Sequence, residues 1–385
     1  MIHADEVIVI GGGIAGCATA CYLARDGVRV RLIERAALNG LASGANAGSL
    51  HAQIPHDPFR QLGIEWARGF SPAIKLFIAS LQLWQDLEKS LEADLEIGFG
   101  GGLLVATTEE ERAEIAAKVT IERAAGLNVE VLDEQALRSC APYLSSRALG
   151  GAFCAAEGKA NPLLVAPAFA AAARKANAVI ETTCGEASIS REGSGYAVVT
   201  PEGSYRADRI VLAAGSATGT LAAMLGHRLP IEAFPIQVGV SEPAVAFLPH
   251  LLYCAGAKLT MKQTRIGSVL IGGGWSAKID SVGRAVVDPI SLAANLHVAC
   301  DLVPAIGSLA LIRSWAAFVN GTADWLPILG ELPGAPGVFI NYVPWMGFTG
   351  GPAASRGIAD MVQGRNPSLP VPFSSFAPQW SSADD

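Results

Sequence analysis

The sequence predicts an α/β fold, a doubly wound parallel sheet into which a second, α+β domain with an antiparallel sheet is inserted. The first observation is the order apolar run, glycine turn, Ala-rich helix and second apolar run over residues 7–34, which makes a βαβ unit. The second is a late apolar run, residues 210–214, that ends at Gly215 and is typical of a buried parallel strand. The third is the length of 385 residues, which favours two domains over one core.

The glycine turn near the start has the spacing of a dinucleotide-binding loop. Gly11 permits a tight turn, Gly13 lets the backbone approach a pyrophosphate, and Gly16 lets the helix pack on the strand. The N–H groups at the helix N-terminus then face the phosphates. Glu34 follows Gly16 by 18 residues, the place of an acid that accepts from ribose hydroxyls. Alone, G-x-G-x-x-G would equally fit a turn without a ligand, but with strand, helix and acid in place it predicts dinucleotide binding.

The next block is predicted to mix helices and strands. Residues 39–51 are too rich in glycine for a regular element and are expected to form a loop that can lie against a flat ligand. Apolar residues at helical spacing predict a helix over 72–93, and a charged amphipathic pattern predicts another over 109–125. Strands are expected on either side of the second helix, at 102–106 and 129–132.

The second half of the chain alternates strand patterns with three helices. We expect helices at 161–176, 289–303 and 353–363. Strands are expected at 178–183, 186–190, 195–199, 204–212, 234–241, 258–263, 267–273 and 338–342.

This order of elements predicts a discontinuous nucleotide domain. We assign it residues 1–82, 145–218 and 320–365, and assign the substrate domain residues 83–144 and 219–319. Residues 366–385 are rich in Pro, Ser and Asp and are expected to form a loosely attached tail.

Composition and charge exclude several classes of function. Hydrophobic residues make up 51% of the chain and charged residues 16%, so a packed core is expected. The net charge of −7 argues against nucleic acid or an anionic membrane as the main partner, because both are bound through basic surfaces. Seven scattered cysteines without C-x-x-C spacing indicate reduced thiols and no metal site, and Cys17 and Cys21 are interpreted as core residues. A strand pattern close to Met1 leaves no room for a signal peptide, so a cytoplasmic protein is expected.

The whole pattern resembles the FAD-dependent D-amino-acid oxidase superfamily, which includes glycine oxidase, sarcosine oxidase and D-amino-acid dehydrogenases. The resemblance runs from Val7 to about Gly364 and includes the segments Gly102-Leu-Leu-Val-Ala-Thr-Thr108, Glu157-Gly-Lys-Ala-Asn-Pro162 and Leu326-Pro-Ile-Leu-Gly330. It implies a Rossmann-like FAD-binding domain. It also implies non-covalent FAD, because no cysteine follows Cys300 to attach the cofactor.

The resemblance implies four groups of cofactor-binding residues. The ADP pyrophosphate loop and the ribose acid with its neighbour are Gly11, Gly13, Ile14, Ala15, Gly16, Glu34 and Arg35. The loop beside the flavin ring contributes Ser43, Asn46, Ala47, Gly48 and Ser49. The strand end beneath the cofactor contributes Ala214 and Gly215, and the closing signature contributes Gly347, Phe348, Thr349 and Gly350. In the family this last segment points a helix N-terminus at the flavin edge where negative charge gathers on reduction.

Two departures from the family concern the substrate. Glycine oxidase-like members carry an Arg-Pro pair whose arginine holds the substrate carboxylate, and this chain has Val319-Asn320 there. The candidates for replacing that arginine are Lys258, Lys262, His51 and Arg313. Each also has an ordinary structural interpretation, as a solvated, ion-paired or buried residue. The second departure is Trp345-Met346 where relatives carry Gly and His, and these two are expected to wall the substrate pocket rather than only fill the core.

The resemblance is strongest to the β subunits of bacterial opine and hydroxyproline dehydrogenase complexes. It implies oxidation of a secondary amine or D-amino carboxylate, with hydride transfer to the flavin and electrons passed to partner subunits. Two alternatives stay open: a free-standing glycine or sarcosine-type oxidase that produces peroxide, and a flavin subunit without activity of its own. A nicotinamide-dependent dehydrogenase is disfavoured, because the closing glycine segment is a flavoprotein feature.

Overall fold

The computed structural model describes the backbone of residues 3–379 and 381–382 and the side chains of residues 6–379. Two eight-stranded sheets dominate it, and helices cover them. The predicted α/β class, with a doubly wound sheet and an inserted second sheet, is confirmed. No helix within the described part of the chain is both long and apolar enough to cross a membrane.

The first sheet is parallel at its centre. Strand β1 (His3–Ile10) pairs in parallel with β2 (Val30–Ile33) on one side and β11 (Gly203–Leu212) on the other. The strand order is β20–β21–β11–β1–β2–β8, and β9 and β10 extend it as an antiparallel hairpin on β11. The remaining strands are β8 (Val179–Glu181), β9 (Ser188–Glu192), β10 (Gly195–Thr200), β20 (Ile328–Glu331) and β21 (Val338–Tyr342). The central strands are buried on both faces, which explains their continuous apolar runs.

Four helices pack around this sheet. They are α1 (Ile14–Arg25), α3 (His56–Gln85), α7 (Pro162–Lys175) and α10 (Gly347–Val362). Helix α1 lies between α7 and α10, and α10 also packs against α3. The thiols of Cys17 and Cys21 are fully buried in α1, so their interpretation as core residues is confirmed.

The second sheet is built from two separate parts of the chain. Its order is β19–β13–β16–β15–β14–β4–β6–β5. The strands are β4 (Gly102–Ala106), β5 (Glu130–Leu132), β6 (Gly150–Cys154), β13 (Glu232–Pro243), β14 (Leu251–Cys254), β15 (Thr260–Gln263), β16 (Ser268–Gly272) and β19 (Leu311–Gly321). The sheet is mixed rather than wholly antiparallel, because β4 from the first part and β14 from the second run in parallel where the two parts join.

The remaining elements are short strand pairs and connecting helices. The strand pairs are β3 (Ser49–Leu50) with β7 (Gly158–Lys159), β12 (His227–Arg228) with β22 (Ser381–Ser382), and β17 (Lys278–Ile279) with β18 (Ala285–Val286). The helices are α2 (Ala42–Ala45), α4 (Leu87–Leu91), α5 (Glu109–Ala124), α6 (Glu134–Cys140), α8 (Thr218–Ala223) and α9 (Pro289–Leu302).

Three predicted boundaries are corrected. The helix expected over 72–93 begins at His56 and breaks at Gln85 before α4, with a non-helical Gly63 in its first half. The loop expected over 39–51 contains one helical turn, α2, and the short strand β3. The last helix begins at Gly347 instead of residue 353. Its glycines suggest a loop, but Gly350 and Gly351 instead let the helix approach neighbouring side chains closely.

The expected loose attachment of the tail is also corrected. Phe373 and Phe376 are buried in the main core, and Phe373 packs against Gly357 of α10, where an added Cβ would lie 2.1 Å from its ring. Two phenylalanines in a polar segment therefore anchor it. Residues 380 and 383–385 of the predicted tail lie outside the described residues.

Candidate cofactor and substrate site

The turn between β1 and α1 requires glycine at two positions. Gly11 has φ +116°, and a Cβ there would lie 2.4 Å from the carbonyl oxygen of Ala213 at the end of β11. A Cβ at Gly16 would lie 1.9 Å from the carbonyl oxygen of Gly11. The turn, the helix and the neighbouring strand end thus approach as closely as the dinucleotide motif requires.

Gly13 faces a hydroxyl group. A Cβ on Gly13 would lie 2.8 Å from Ser43 Oγ, and that oxygen accepts a hydrogen bond of 3.0 Å from the backbone N–H of Ile14. Ser43 therefore lies at the N-terminus of α1, whose first turn contains Ile14 and Ala15. This is the end of the helix that favours an anion.

Glu34 is fixed at the end of β2. Its carboxylate accepts hydrogen bonds of 2.6 Å from Gly12 N and 2.8 Å from Ala36 N. It adjoins the glycine turn, where the sequence predicts the ribose acid. Arg35 points elsewhere, since its guanidinium pairs with Glu186 at 2.6 Å on the surface.

The segment predicted to run beside the flavin is held by its own side chains. Asn46 Oδ1 accepts from Gly48 N at 2.7 Å, and its Nδ2 donates to the Ser43 carbonyl oxygen at 2.6 Å. Gly48 has φ +78°, and a Cβ there would lie 2.1 Å from the Ala160 carbonyl oxygen. Ala47 lies between these fixed residues, so the segment presents a rigid backbone.

The N-terminus of α10 is tied to this segment. Thr349 Oγ1 donates to the Ser49 carbonyl oxygen at 3.1 Å and accepts from His51 N at 3.1 Å. The Thr349 carbonyl oxygen accepts from Ser80 Oγ at 2.6 Å and from Trp84 Nε1 at 2.9 Å, both on α3. The positive end of the α10 dipole is therefore held beside residues 46–51.

The end of β11 completes this side of the site. Gly215 has φ +58°, and a Cβ there would lie 2.9 Å from Asn320 Nδ2. A Cβ on Gly11 would lie 2.8 Å from the Cα of Ala214. The glycine turn after β1 and the end of β11 therefore adjoin each other at the carboxyl end of the first sheet.

A cavity of about 610 Å³ opens between the second sheet, the segment 42–61 and the start of α10. The predicted site residues that line it are Asn46, Ala47, Ser49, His51, Lys258, Trp345, Met346 and Phe348. Val319, which replaces the family arginine, lines it as well, whereas Lys262 and Arg313 are absent from its lining.

The four candidates for the substrate carboxylate have different surroundings. Lys258 is half-exposed in the cavity, with its Nζ 3.5 Å from Asp57 Oδ2. Lys262 is buried and donates to Ser49 Oγ; burial, with Lys159 nearby, lowers its pKa to about 7. Arg313 is exposed, with its guanidinium 5.9 Å from the centre of the Trp315 ring.

His51 is a neutral cavity residue. Burial, and to a lesser extent the charge of Lys262, lowers its pKa to about 3. Its ring centre lies 6.1 Å from that of Tyr253, which also lines the cavity. At neutral pH its imidazole can donate or accept a hydrogen bond without adding charge.

Sequence reasoning missed a buried carboxylate behind His51. Glu157 accepts from the backbone N–H groups of Ala52 and Gln53 at 2.6 and 2.7 Å, and from Tyr253 Oη at 3.3 Å. Burial raises its pKa, although the hydrogen bonds from residues 52 and 53 oppose the shift. The sequence marks its segment only through the family resemblance, yet a lone acid shortly after the apolar strand β6 is a signal that could have identified it.

Two aromatic residues were missed too. Trp325 and Phe234 both line the cavity and stack on Trp345, at ring-centre distances of 4.4 and 4.8 Å. No local pattern connects these three positions, because they come from three different segments that meet only in the fold.

The residues present fit FAD. The glycine turn, the acid at the end of β2 and the rigid segment 46–51 form one continuous surface with the N-terminus of α10. The glycine turn and Glu34 suit the ADP half of FAD, and the N-terminus of α10 suits the edge of the flavin ring. Among the described residues, no three His, Cys, Asp or Glu side chains are grouped so that they could hold a metal ion.

Comparisons with known proteins agree with this geometry. The family model of DAO, described as FAD dependent oxidoreductase, matches residues 6–361. The chain is 28% identical over 387 residues to glycine oxidase of Geobacillus kaustophilus, covering 97% of each chain. It is 28% identical over 347 residues to one of the subunits of opine oxidase from Rhizobium meliloti, covering 87% of each. The solved structure of L-proline dehydrogenase from P. horikoshii superposes with a TM-score of 0.86 at 20% identity, covering 98% of this chain and 97% of the other.

Proposed function

The chain belongs to the DAO family of FAD-dependent oxidoreductases, and from that membership we propose that it oxidises a secondary amine carboxylate or D-amino carboxylate, opine-like or proline-like, and passes the electrons to partner subunits. The coarser activity, FAD-dependent oxidation of amines or amino acids, is that of the family. When bound, FAD supplies the acceptor for the hydride lost from the carbon next to a neutral amine, which leaves an imine that water hydrolyses.

The observation that carries the proposal is the convergence of three features on one cavity. The cavity adjoins the segment 46–51, the start of α10 at Met346 and Phe348, and the ammonium group of Lys258. A flavin-facing wall and a cation in one apolar cavity suit a substrate that carries both an amine and a carboxylate.

Lys258 is our candidate for the group that replaces the family arginine. Val319 cannot pair with a carboxylate, and Lys258 lines the same cavity. Lys262, in contrast, is buried and donates to Ser49 Oγ. A carboxylate entering the cavity would take the place of Asp57 as the partner of Lys258, which exchanges one ion pair for another.

His51 and its support position the substrate amine in this proposal. The neutral imidazole can accept a hydrogen bond from the amine, which must lose its own charge before the adjacent C–H bond is oxidised. Glu157 holds the backbone of residues 52–53 and so fixes the segment that carries His51. We assign Glu157 the role of a positioning residue.

The test is anaerobic titration of the FAD-loaded protein with opines, D-amino acids, proline derivatives and N-methylglycine. We expect bleaching of the flavin absorbance by at least one secondary amine carboxylate, with saturation. Bleaching by none of these compounds, in protein that dithionite reduces normally, would contradict the proposal and favour a flavin subunit without activity of its own.

A second candidate is a free-standing amine oxidase. It is favoured by the similarity to glycine oxidase, which extends over 97% of both chains. The two candidates differ in the acceptor rather than in the amine chemistry, and stoichiometric peroxide from the isolated chain would select the oxidase.

A further inference from the structure

We propose that the cavity contains an aromatic subsite, formed by Phe234, Trp325 and Trp345, that selects amine carboxylates with an aromatic substituent. The inference rests on the amine oxidation proposed above and narrows its substrate class. All three rings line the cavity that also contains Lys258.

The three rings form a stack. Trp345 and Trp325 have ring centres 4.4 Å apart and planes at 16°, and Trp345 and Phe234 have ring centres 4.8 Å apart and planes at 29°. Both pairs are close to parallel, and their separations lie at the short end of the range of about 4.5–7 Å for stacked aromatic pairs. The rings therefore form a single aromatic wall of fixed geometry.

The backbone holds this wall in a conformation that bulky residues rarely adopt. Trp345 has φ +54° and Trp325 has φ +68°, both in the left-handed region. Such conformations persist when the surroundings enforce them, and they are concentrated at functional sites. Two of the three stacked residues therefore have an unfavourable backbone conformation that their surroundings must maintain.

Neighbouring groups enforce these conformations. Trp345 N donates to the Asn320 carbonyl oxygen at 2.7 Å. Gly321 leaves the space for the stack, because a Cβ there would lie 2.7 Å from the Trp345 ring and 2.6 Å from the Phe234 ring. Trp66 packs edge-on against Trp325, with ring centres 6.2 Å apart. The wall is preorganised, so a ligand that binds it loses little free energy in ordering these side chains.

The charges of the cavity define the other end of the ligand. Among the described residues that line it, the cations are Lys258 and Arg60, and the one acid is Asp57, which already pairs with Lys258. A carboxylate can bind at Lys258 while an uncharged ring packs on the aromatic wall. An aromatic pair raises affinity about two- to tenfold beyond the effect of the apolar area that it buries. A phenyl group should therefore bind better than a saturated ring of similar size.

The test compares three N-substituted glycines on the FAD-loaded protein under anaerobic conditions. N-benzylglycine, N-(cyclohexylmethyl)glycine and N-methylglycine share the amine and the carboxylate and differ only in the substituent. The quantity compared is the rate of flavin reduction divided by the dissociation constant. We expect it to be about tenfold or more higher for N-benzylglycine than for N-methylglycine, and about two- to tenfold higher than for the cyclohexyl compound.

Variants at Trp325 assign the preference to the wall. Trp325→Leu should remove most of the ratio between N-benzylglycine and N-methylglycine, whereas Trp325→Phe should keep most of it. Phe99→Leu, an exposed aromatic position outside the cavity lining, is the matched control and should leave the ratio unchanged.

A binding measurement separates this inference from the proposed activity. Calorimetric titration with 3-phenylpropionate and 3-cyclohexylpropionate, which carry no amine, should show tighter binding of the aromatic acid, lost in Trp325→Leu. If no amine reduces the flavin but this preference holds, the proposed oxidation fails and the subsite stands. Equal rates for the benzyl and cyclohexyl compounds, or an equal loss for all substrates in Trp325→Leu, would overturn the subsite.

Discussion

Lys258 and Lys262 lie four positions apart, but the fold gives them different surroundings. Because Lys258 lines the cavity, Lys258→Met should remove a charge-assisted hydrogen bond to the substrate carboxylate, about 1.5–3 kcal/mol or one to two decades in affinity. Lys262→Met should weaken substrate binding less. Anaerobic titration of flavin absorbance measures both dissociation constants, with flavin content as the check that the cofactor site is intact. Unaltered affinity in both variants would transfer the role to His51 or Arg313.

The buried ammonium group of Lys262 should affect how the free energy of unfolding depends on pH. Its pKa is lowered to about 7, mainly by burial, so the folded protein releases this proton near neutrality, whereas the unfolded chain keeps it to about pH 10.4. Between these values the unfolded state binds more protons, so this group makes the free energy of unfolding rise with pH. Urea unfolding at pH 7 to 9 should therefore show a steeper rise for the natural protein than for Lys262→Met.

A matched control separates this effect from general charge removal. Lys75→Met removes an exposed lysine on α3 and should leave the pH slope of the natural protein unchanged. Equal slopes in the natural protein and Lys262→Met would mean that Lys262 keeps its proton throughout this range in the folded state.

At the scale of an element, the junction of β1 and α1 decides cofactor binding. Gly13→Val adds a side chain at the N-terminus of α1, with its Cβ 2.8 Å from the present position of Ser43 Oγ. We expect loss of FAD with a largely intact fold, measured as flavin absorbance per chain and far-ultraviolet circular dichroism. Gly69→Ala, where nothing lies within 4 Å of the added Cβ, is the control and should keep its flavin. Full flavin in Gly13→Val would contradict the assignment of this turn.

The C-terminal segment should contribute to the free energy of unfolding. Phe376 is 1% exposed in the main core, so Phe376→Ala should lower the free energy of unfolding by about 3–5 kcal/mol. Ser374→Ala, exposed in the same short helix, should change it by about 0.5 kcal/mol or less. Denaturant unfolding of both variants measures the difference, and a value for Phe376→Ala as small as that for Ser374→Ala would favour a loosely attached segment.

The elements differ in how far the sequence could predict them. The central strands of the first sheet end in apolar runs such as residues 210–212, so a local signal predicts them. Helix α7 has Pro162 at its start after Asn161, whose side chain accepts from Leu163 N, and this local signal is sufficient as well. The sequence predicts the start of α10 too late, because Gly350 and Gly351 weaken helical propensity and are explained only by their contacts with Phe77 and Ile14. Helix propensity is local, but the reason for these glycines is tertiary.

The same limit applies to the site. The glycine turn and Glu34 are adjacent in a motif, so their spacing identifies them. Trp325 and Phe234 become neighbours of Trp345 only in the folded chain, and Glu157 acts through backbone groups more than a hundred residues away in sequence. Residues that act through long-range contacts have no local pattern to detect.

At the scale of the whole molecule, the two sheets have separate tasks that meet at the cavity. The first sheet and its helices supply the surfaces that fit FAD, at the ends of β1, β2 and β11. The second sheet supplies the opposite wall through β13, β14 and β19 and the segment before β15. Substrate preference can therefore change through the second sheet while cofactor binding is kept.

The destination of the electrons is also a property of the whole molecule. The similarity to a protein that is one of the subunits of opine oxidase motivates the expectation that oxygen is a poor acceptor and that a partner chain takes the electrons. Isolated protein, reduced by its amine without oxygen and then mixed with air, should reoxidise slowly and release little peroxide. A soluble dye acceptor added to the same preparation should reoxidise it quickly, which controls for a damaged flavin.

Purification of the tagged chain from its source should bring down a cysteine-rich partner, and adding that partner should restore fast reoxidation. Rapid, stoichiometric peroxide formation by the isolated chain would instead assign the free-standing oxidase, because a flavin that reduces oxygen efficiently needs no partner chain to complete its turnover.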